Sequence, residues 1–400
     1  TIRQAGAPSR PIDRGLAGAG LLAHVLVSKY ADHLPLYRQS QMYAREGVML
    51  ERSTLADWVA GSARLLTPLA RAIGDYVLRA VKVHSDDTPT RVLGAGRAAG
   101  LHIIDHAGKG KAHPGRLWVY VRDDRASADS SPAAVWFQYS VNRKGEHPGA
   151  HLANYKGILQ VDAFAGYNAL FGDGRIIEAA CLAHARRKYF DIHQHEHRAP
   201  GTLAHQALQR IARIYAVEAD IRGQPPDERC RQRQARTRPL LQEMHDWLND
   251  TLGLLSAKSS MALAIGYSLN NWRALNRFVD DGRIEADNNI AERALRAVAI
   301  GRRCGAEVAR LGIDAVVVGV FAERRAGPRD RGEPDAGAPV LQVDARIRFV
   351  QGEIAARGVD VIAVEVHDRK CEQRAERERA GVRPDRLRQG RGRRRVEAGV

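Results

Sequence analysis

Three acidic side chains lie far apart in the chain, Asp86, Asp162 and Glu292, and each falls where a metal-dependent phosphoryl-transfer centre needs one. Asp86 closes the apolar stretch VKVHSDDT and Asp162 closes GILQVDAF, both of which read as strands. Glu292 belongs to DNNIAERALRAVAIGRR, which reads as a helix with Asp287 at its N-cap. Carboxylates at the ends of neighbouring strands emerge side by side, and a helix packed across the sheet edge brings in a third. An all-oxygen donor set suits Mg2+ or Mn2+ rather than zinc. Two such ions between carboxylates can activate an attacking hydroxyl and stabilise a leaving oxygen at phosphorus. Singly, each residue also has a plainer role: acidic residues form turns at strand ends, and Glu292 with Arg296 at i,i+4 makes a surface pair. Asp87 leaves the first position ambiguous by one residue, and Asp86 is favoured because it falls in phase with Lys82 and His84.

Other chemistry-bearing groups are less coherent. His193, His195 and His197 alternate in DIHQHEHRAP and read as an exposed loop rather than a metal pincer. Cys181 and His184 have a C-x-x-H spacing without a second ligand pair, which excludes a recognisable zinc site and suggests packing beneath the acidic centre. Arg186, Arg187 and Lys188 form a basic cluster; together with Arg293 and Arg296 they are candidate phosphate contacts, a solvated helix face being the alternative for the cluster. Trp118, Trp136 and Phe137 are expected in the core.

The elements that must position these groups follow from periodicity. Residues 1–80 read as helical, a possible DNA-binding region: LLAHVLVSKYADHL, then PLYRQSQMYAREG with Pro35 at its start and Gly47 at its end, then STLADWVAGSARLL with Thr54 and Asp57 at capping-box spacing. Two short helices joined at a Gly-containing turn and followed by a longer helix fit a helix-turn-helix, and fit an ordinary helical subdomain as well. From residue 81 the pattern changes to short stretches rich in Val, Ile and aromatics: VKVHSDDT, GLHIIDHAG, RLWVYVRDD, AVWFQYS, GILQVDAF and RIIEAACLA. Close spacing in the middle implies an antiparallel meander, and the later stretches alternate with helices, so an α/β fold with a mixed sheet is expected. Residues 81–190 form the first part of this core, 191–280 an all-helical insertion, and 281–303 the helix carrying Glu292. Residues 304–400 are rich in Arg, Ala, Gly, Val and Asp and end in RLRQGRGRRRVEAGV, without sustained patterning.

Lys and Arg number 62 against 46 Asp and Glu, a net charge of +16 and a pI near 10.1, an excess that points to a polyanionic partner, nucleic acid first. At 400 residues, two or three domains are expected. The four cysteines form no disulfide framework, and no stretch has the length of a membrane span or the form of a signal peptide. A cytoplasmic, nucleoid-associated location without membrane contact is expected. The chain opens at Thr1 without Met, which suggests a missing N-terminus.

In this order, HVLVSKYADHLPLYRQSQMYAREGVMLERSTLADWV, HSDDTPTRVL, GRLWVYVRDDR, VWFQYSVNRKGEHP, LQVDAFAGYNALF, IIEAACLAHARRKYFD and DGRIEADNNIAERALRAVAIGRR resemble bacterial insertion-sequence transposases of the sixty-six type, members of the DDE superfamily. The resemblance covers roughly residues 10–303, with SDDTP, DAFAGY, CLAHARRKYF and DNNIAERALR its most specific pieces. It implies an RNase H-like core interrupted by a helical insertion, the acidic triad on Asp86, Asp162 and Glu292 with two Mg2+ ions (or Mn2+), and cleavage and strand transfer of double-stranded DNA at element ends and target by a homo-oligomer. The N-terminal helical segment and cysteine-containing zinc module usual in the family have no counterpart here. After GRR the resemblance stops, so residues 304–400 are expected to be a frameshifted or poorly ordered tail. A catalytically inactive DNA-binding remnant is the alternative; a serine or tyrosine recombinase is a third reading, against which the acidic triad argues.

Overall fold

The computed structural model describes residues 10–13, 15–93 and 112–303. The stretch GLHIIDHAG and the tail 304–400 lie outside the described residues. Three helices come first: α1 (Ala19–Tyr30), α2 (Leu36–Arg45) and α3 (Arg52–Leu78). They bury a small core of their own, Leu22 and Val25 from α1, Leu36 from α2, and Leu55, Trp58 and Val59 from α3. Two local expectations are corrected here. The bend between the two short helices is made by His33 at φ 57°, and the glycine turn, Gly47 at φ 83°, falls between α2 and α3 instead. Thr54 does not cap a helix: α3 has already begun at Arg52, and Glu51 at the cap position makes no side-chain cap bond.

Helix α3 is long enough to leave this cluster and reach the sheet. There Gly74 passes so close to Trp136 that a Cβ would lie 2.8 Å from the indole, a closeness only glycine permits. The sheet has five strands, β1 (Lys82–Leu93), β2 (Ala112–Arg122), β3 (Ala134–Ser140), β4 (Gly157–Val161) and β5 (Ile176–Ala180), in the order β3-β2-β1-β4-β5. β1, β2 and β3 pair antiparallel, whereas β4 runs parallel to β1 and β5 parallel to β4. The mixed sheet expected from strand spacing is therefore present.

Strand alternation gives the sheet two different faces. On one, Val83, Trp118, Tyr120, Leu159 and Val161 pack with Val77 of α3 and with Leu152, Tyr155 and Tyr167; the short helix α4 (Glu146–His151) and a 3-10 segment, Ala165–Phe171, border this side. On the other, Leu117, Val119, Val121 and Phe137 are covered by Ile290, Ala291, Ala294 and Leu295.

Between β5 and that covering helix come α5 (Leu182–His195), α6 (Leu203–Asp220), α7 (Pro226–Gln232), a π-helical turn (Arg233–Thr237), α8 (Arg238–Gly253), α9 (Ser260–Asn270) and α10 (Trp272–Asn276), followed by α11 (Asn289–Arg303). Their apolar stripes close one cluster that runs from Ile158, Ala179 and Ala180 of the sheet through Tyr189 of α5 and Ile211 of α6 to Leu248 of α8 and Ile265 of α9. The helical block thus leans on the β4–β5 end of the sheet. His193 and His195 lie in the last helical turn of α5, where a loop was expected, and His193 stacks on His205 at 5.3 Å. Among the described residues, no helix is long and apolar enough to cross a membrane.

Candidate functional site

β1 and β4 are parallel neighbours with His84 beside Gln160. Two residues further along each strand stand Asp86 and Asp162, so the parallel register sets the two acidic residues next to one another. They share the sheet face on which α11 packs, and Glu292 lies in the first turn of that helix. Asp86 is the member of the three whose environment is most distinctive. Asp86 is largely buried, and its carboxyl is pushed up to about 7, first by loss of hydration and further by the charges of Asp162, Asp87 and Glu292; an Asp87 N–H donated to its Oδ1 at 2.7 Å works in the opposite direction. Asp87 points to the opposite face. Its side chain is 2 % exposed and is held by Arg116 and Arg143, each at 2.8 Å, which makes it an anchor.

The outer two carboxylates have cationic or polar neighbours: Arg143 Nη2 stands 3.6 Å from Asp162 Oδ2, and His184 Nε2 stands 3.8 Å from Glu292 Oε1. Among the described residues, no group of three His, Cys, Asp or Glu side chains is gathered tightly enough to hold a metal ion as it stands. The chemistry of the donor set nonetheless fits a hard divalent cation, since all three candidate donors are carboxylates and offer oxygen alone.

The segment leading into α11 is fastened by polar groups whose importance the sequence did not signal. Asn288, fully buried, donates its Nδ2 to Ser85 O at 2.8 Å. Its Oδ1 lies 2.9 Å from His84 Nδ1 and must accept, so His84 is the neutral Nδ1–H form. Burial, with Lys82 adding to it, holds the His84 ring down at about 3. The Asn288 N–H donates to Cys181 Sγ at 3.1 Å, and burial pushes that thiol up to about 12, leaving it an inert acceptor. Gln160 of β4 donates to the carbonyls of Glu285 and Asp287 at 2.5 and 3.1 Å and accepts from Glu285 N. The cap position of α11 is therefore Asn288. Asp287, expected there, stands one residue earlier and receives the Asn289 N–H at 3.0 Å.

Farther back, two buried arginines tie the helical block to the same segment. Arg229, 1 % exposed, donates to Gly282 O at 2.8 Å and Glu285 Oε1 at 2.9 Å. Arg233, fully buried, donates to both oxygens of Glu218, at 2.8 and 2.6 Å, and to Phe278 O at 2.7 Å. Gly282 lies so close to α7 that a Cβ there would meet the Pro226 carbonyl oxygen at 1.8 Å.

Arg186, Arg187 and Lys188 all project from α5 into solvent. Arg186 and Arg187 line an open cleft of about 440 Å³ together with His184, Phe190, Tyr215, Asn289 and Glu292. Lys188 turns to the other side, over the Tyr267 ring at 4.4 Å, and the Tyr267 hydroxyl donates to the Asp162 carbonyl at 3.1 Å. Arg293 and Arg296 are exposed on α11 outside the lining of this cleft. Arg143 was not singled out from the sequence, because it sits in a loop where no spacing relates it to the acidic residues.

Residues 14–310 match the family model described as Transposase IS66 family. The chain is similar to two uncharacterized proteins of Sinorhizobium fredii: y4hP, 36% identical over 315 residues, covering 76% of this chain and 54% of that protein; and y4jD, 36% identical over 311 residues, covering 76% and 57%. The chain spans about half the length of these curated relatives. Among solved structures, a crystal structure of the Mos1 strand transfer complex aligns with 68% of this chain and 79% of its own, at 10% identity and a TM-score of 0.15, a likeness too slight to bear on the fold.

Proposed function

The chain belongs to the IS66 transposase family, and from that premise we propose that it cleaves DNA at the ends of an insertion sequence and joins them to target DNA, with Asp86, Asp162 and Glu292 as the catalytic carboxylates of an RNase H-like core. The observation that carries this reading is the parallel pairing of β1 with β4, which brings Asp86 and Asp162 together beside the first turn of α11, where Glu292 stands. The sheet order, with β1 and β4 parallel at its centre, supports the RNase H-like assignment.

In this reading the three carboxylates hold two Mg2+ ions, or Mn2+. When bound, the ions supply activation of water or a 3′-hydroxyl and stabilisation of the leaving oxygen. The chain's own residues do the rest. Asp86 would have to be ionised to serve as a ligand, so neutral or alkaline pH would favour loading. Asn288, Gln160 and the buried arginines fix the approach of α11 and hence the place of Glu292. Arg186 and Arg187, opening onto the cleft beside Glu292, contact DNA phosphates, as do Arg293 and Arg296 and, from the far side of α5, Lys188. The net charge of +16 suits this partner and a homo-oligomer that holds two DNA ends.

Incubating the full chain with Mg2+ and a duplex bearing the end of its own element tests the proposal. Wild type is expected to nick at the end and Asp162→Ala to lose at least about 100-fold in rate, the magnitude of removing a principal electrostatic group. Equal cutting by both proteins, or none by either, removes the enzymatic reading and leaves the DNA-binding remnant.

A further inference from the structure

We infer that Arg143 is a substrate-binding residue of the acidic centre, one that grips a non-bridging oxygen of the reacting DNA phosphate, and that Asp87 and Phe164 exist in the fold to aim it. The inference rests on the acidic centre being the site of DNA cutting. The guanidinium is held on two sides. Its Nε–H donates to Asp87 Oδ1 at 2.8 Å, and its Cζ lies over the Phe164 ring, 3.8 Å from the centroid. Phe164 is itself tied to the centre, since its N–H donates to Asp162 Oδ1 at 3.1 Å. What is left open is the Nη edge. Nη2 faces Asp162 Oδ2 at 3.6 Å, beyond a hydrogen bond, and the side chain as a whole is 37 % exposed.

Charge counting shows why a plain structural clamp does not account for this. Asp87 is already neutralised by Arg116, which reaches its other oxygen, Oδ2, at 2.8 Å. The second arginine on the same carboxylate also stands in ion-pair range of Asp162, so its charge is shared between the anchor and the acidic centre. An arginine fixed through Nε and through its face presents its remaining donors as a rigid planar fork, the geometry that matches phosphate oxygens. A cation held by Asp162 would compete with Arg143 for that carboxylate and leave the Nη donors to a phosphate oxygen. A lysine offers a point charge without the fork or the aromatic stacking, so Arg143→Lys should fall between wild type and Arg143→Gln.

A double cycle of protein variant and DNA linkage tests the contact without any cutting. The full chain, Arg143→Gln and Arg143→Lys are each titrated with a duplex of the element end carrying either the native linkage or a neutral methylphosphonate at the scissile position, once in EDTA and once in Ca2+. The ratio of affinities for native over neutral DNA is expected to be about tenfold lower in Arg143→Gln than in wild type, with Arg143→Lys between, the size of a charge-assisted hydrogen bond. Ratios identical in wild type and Arg143→Gln under both conditions overturn the inference. Asp87→Asn, which keeps the shape of the anchor but loosens the fork, should lower the same ratio while melting like a folded protein; an unchanged ratio there removes the aiming role. The cycle is independent of turnover: if wild type and Asp162→Ala cut alike, the proposed function fails, whereas an unchanged ratio beside a silent Asp162→Ala fails this inference alone.

Discussion

A carboxyl group with its proton affinity raised to about 7 is close to half charged at neutral pH, and Asp86 is such a group because water is withheld from it and two partner carboxylates approach it. In the unfolded chain it titrates near 3.8. The folded state therefore binds the proton more tightly across the window between about 4 and 7; the resulting stability is complete at the low end and is lost as pH rises through 7. Asp86→Asn keeps the Oδ1 acceptor for Asp87 N–H and can never be charged. The variant is expected to melt higher than wild type at pH 8, by on the order of 2 kcal/mol, with the gain shrinking as pH falls and approaching zero below about pH 4. Thermal melts across pH read this directly, and a variant less stable than wild type at pH 8 contradicts the account of a site strained by its own charge. His84 has the opposite sign: its ring is held neutral down to about 3, so its contribution is present above 6.5 and is lost as pH falls. Acid sensitivity in Asp86→Asn should accordingly be sharper than in wild type.

At the scale of elements, α11 is placed by its own apolar face and by the segment that leads into it. Its apolar face, Ile290, Ala291, Ala294 and Leu295, rests on β2 and β3, while the segment before it is fastened by Gln160, Asn288 and the arginines of α7 and the π-helical turn. Glu218 serves two buried guanidiniums at once. Glu218→Ala leaves the buried Arg233 without a carboxylate and Arg229 with Glu285 alone, so a loss of about 3–5 kcal/mol is expected. Glu243→Ala, which breaks a pair with the half-exposed Arg213, should cost less than about 1 kcal/mol. Denaturant melts of the two variants decide the matter, and equal costs would mean that the helical block does not bear on the α11 segment.

What the sequence made legible, and what it hid, divides along the same line. Period-two alternation identified β1 and β4 and set Asp86, not Asp87, in phase with Lys82 and His84, because strand geometry is local. Helical stripes likewise marked the block after β5. End effects were misread where a helix ran further than its apolar pattern: α3 starts at Arg52, ahead of Thr54, and α5 continues through His195. The buried Arg229–Glu285 and Arg233–Glu218 pairs and the Arg143 contact had no local signature. Charged residues look alike in sequence whether they end in solvent or against a partner 15 or 56 positions away.

For the whole molecule, membership of the IS66 transposase family, an excess of positive charge and acidic residues brought together at β1, β4 and α11 support the proposed account, in which a basic protein would hold DNA phosphates against carboxylates loaded with divalent cations. That account depends on Asp86, Asp162 and Glu292 serving a common ion. Loading the full chain with Fe2+ in place of Mg2+ and generating hydroxyl radicals at the bound iron tests the dependence without any DNA, since the backbone breaks where the ion sits. Cuts clustered around residues 86, 162 and 292, suppressed by excess Mg2+ and lost in Asp162→Ala, are the predicted result. Cuts confined elsewhere, such as at His193 and His195, or a pattern unchanged in Asp162→Ala, would contradict it.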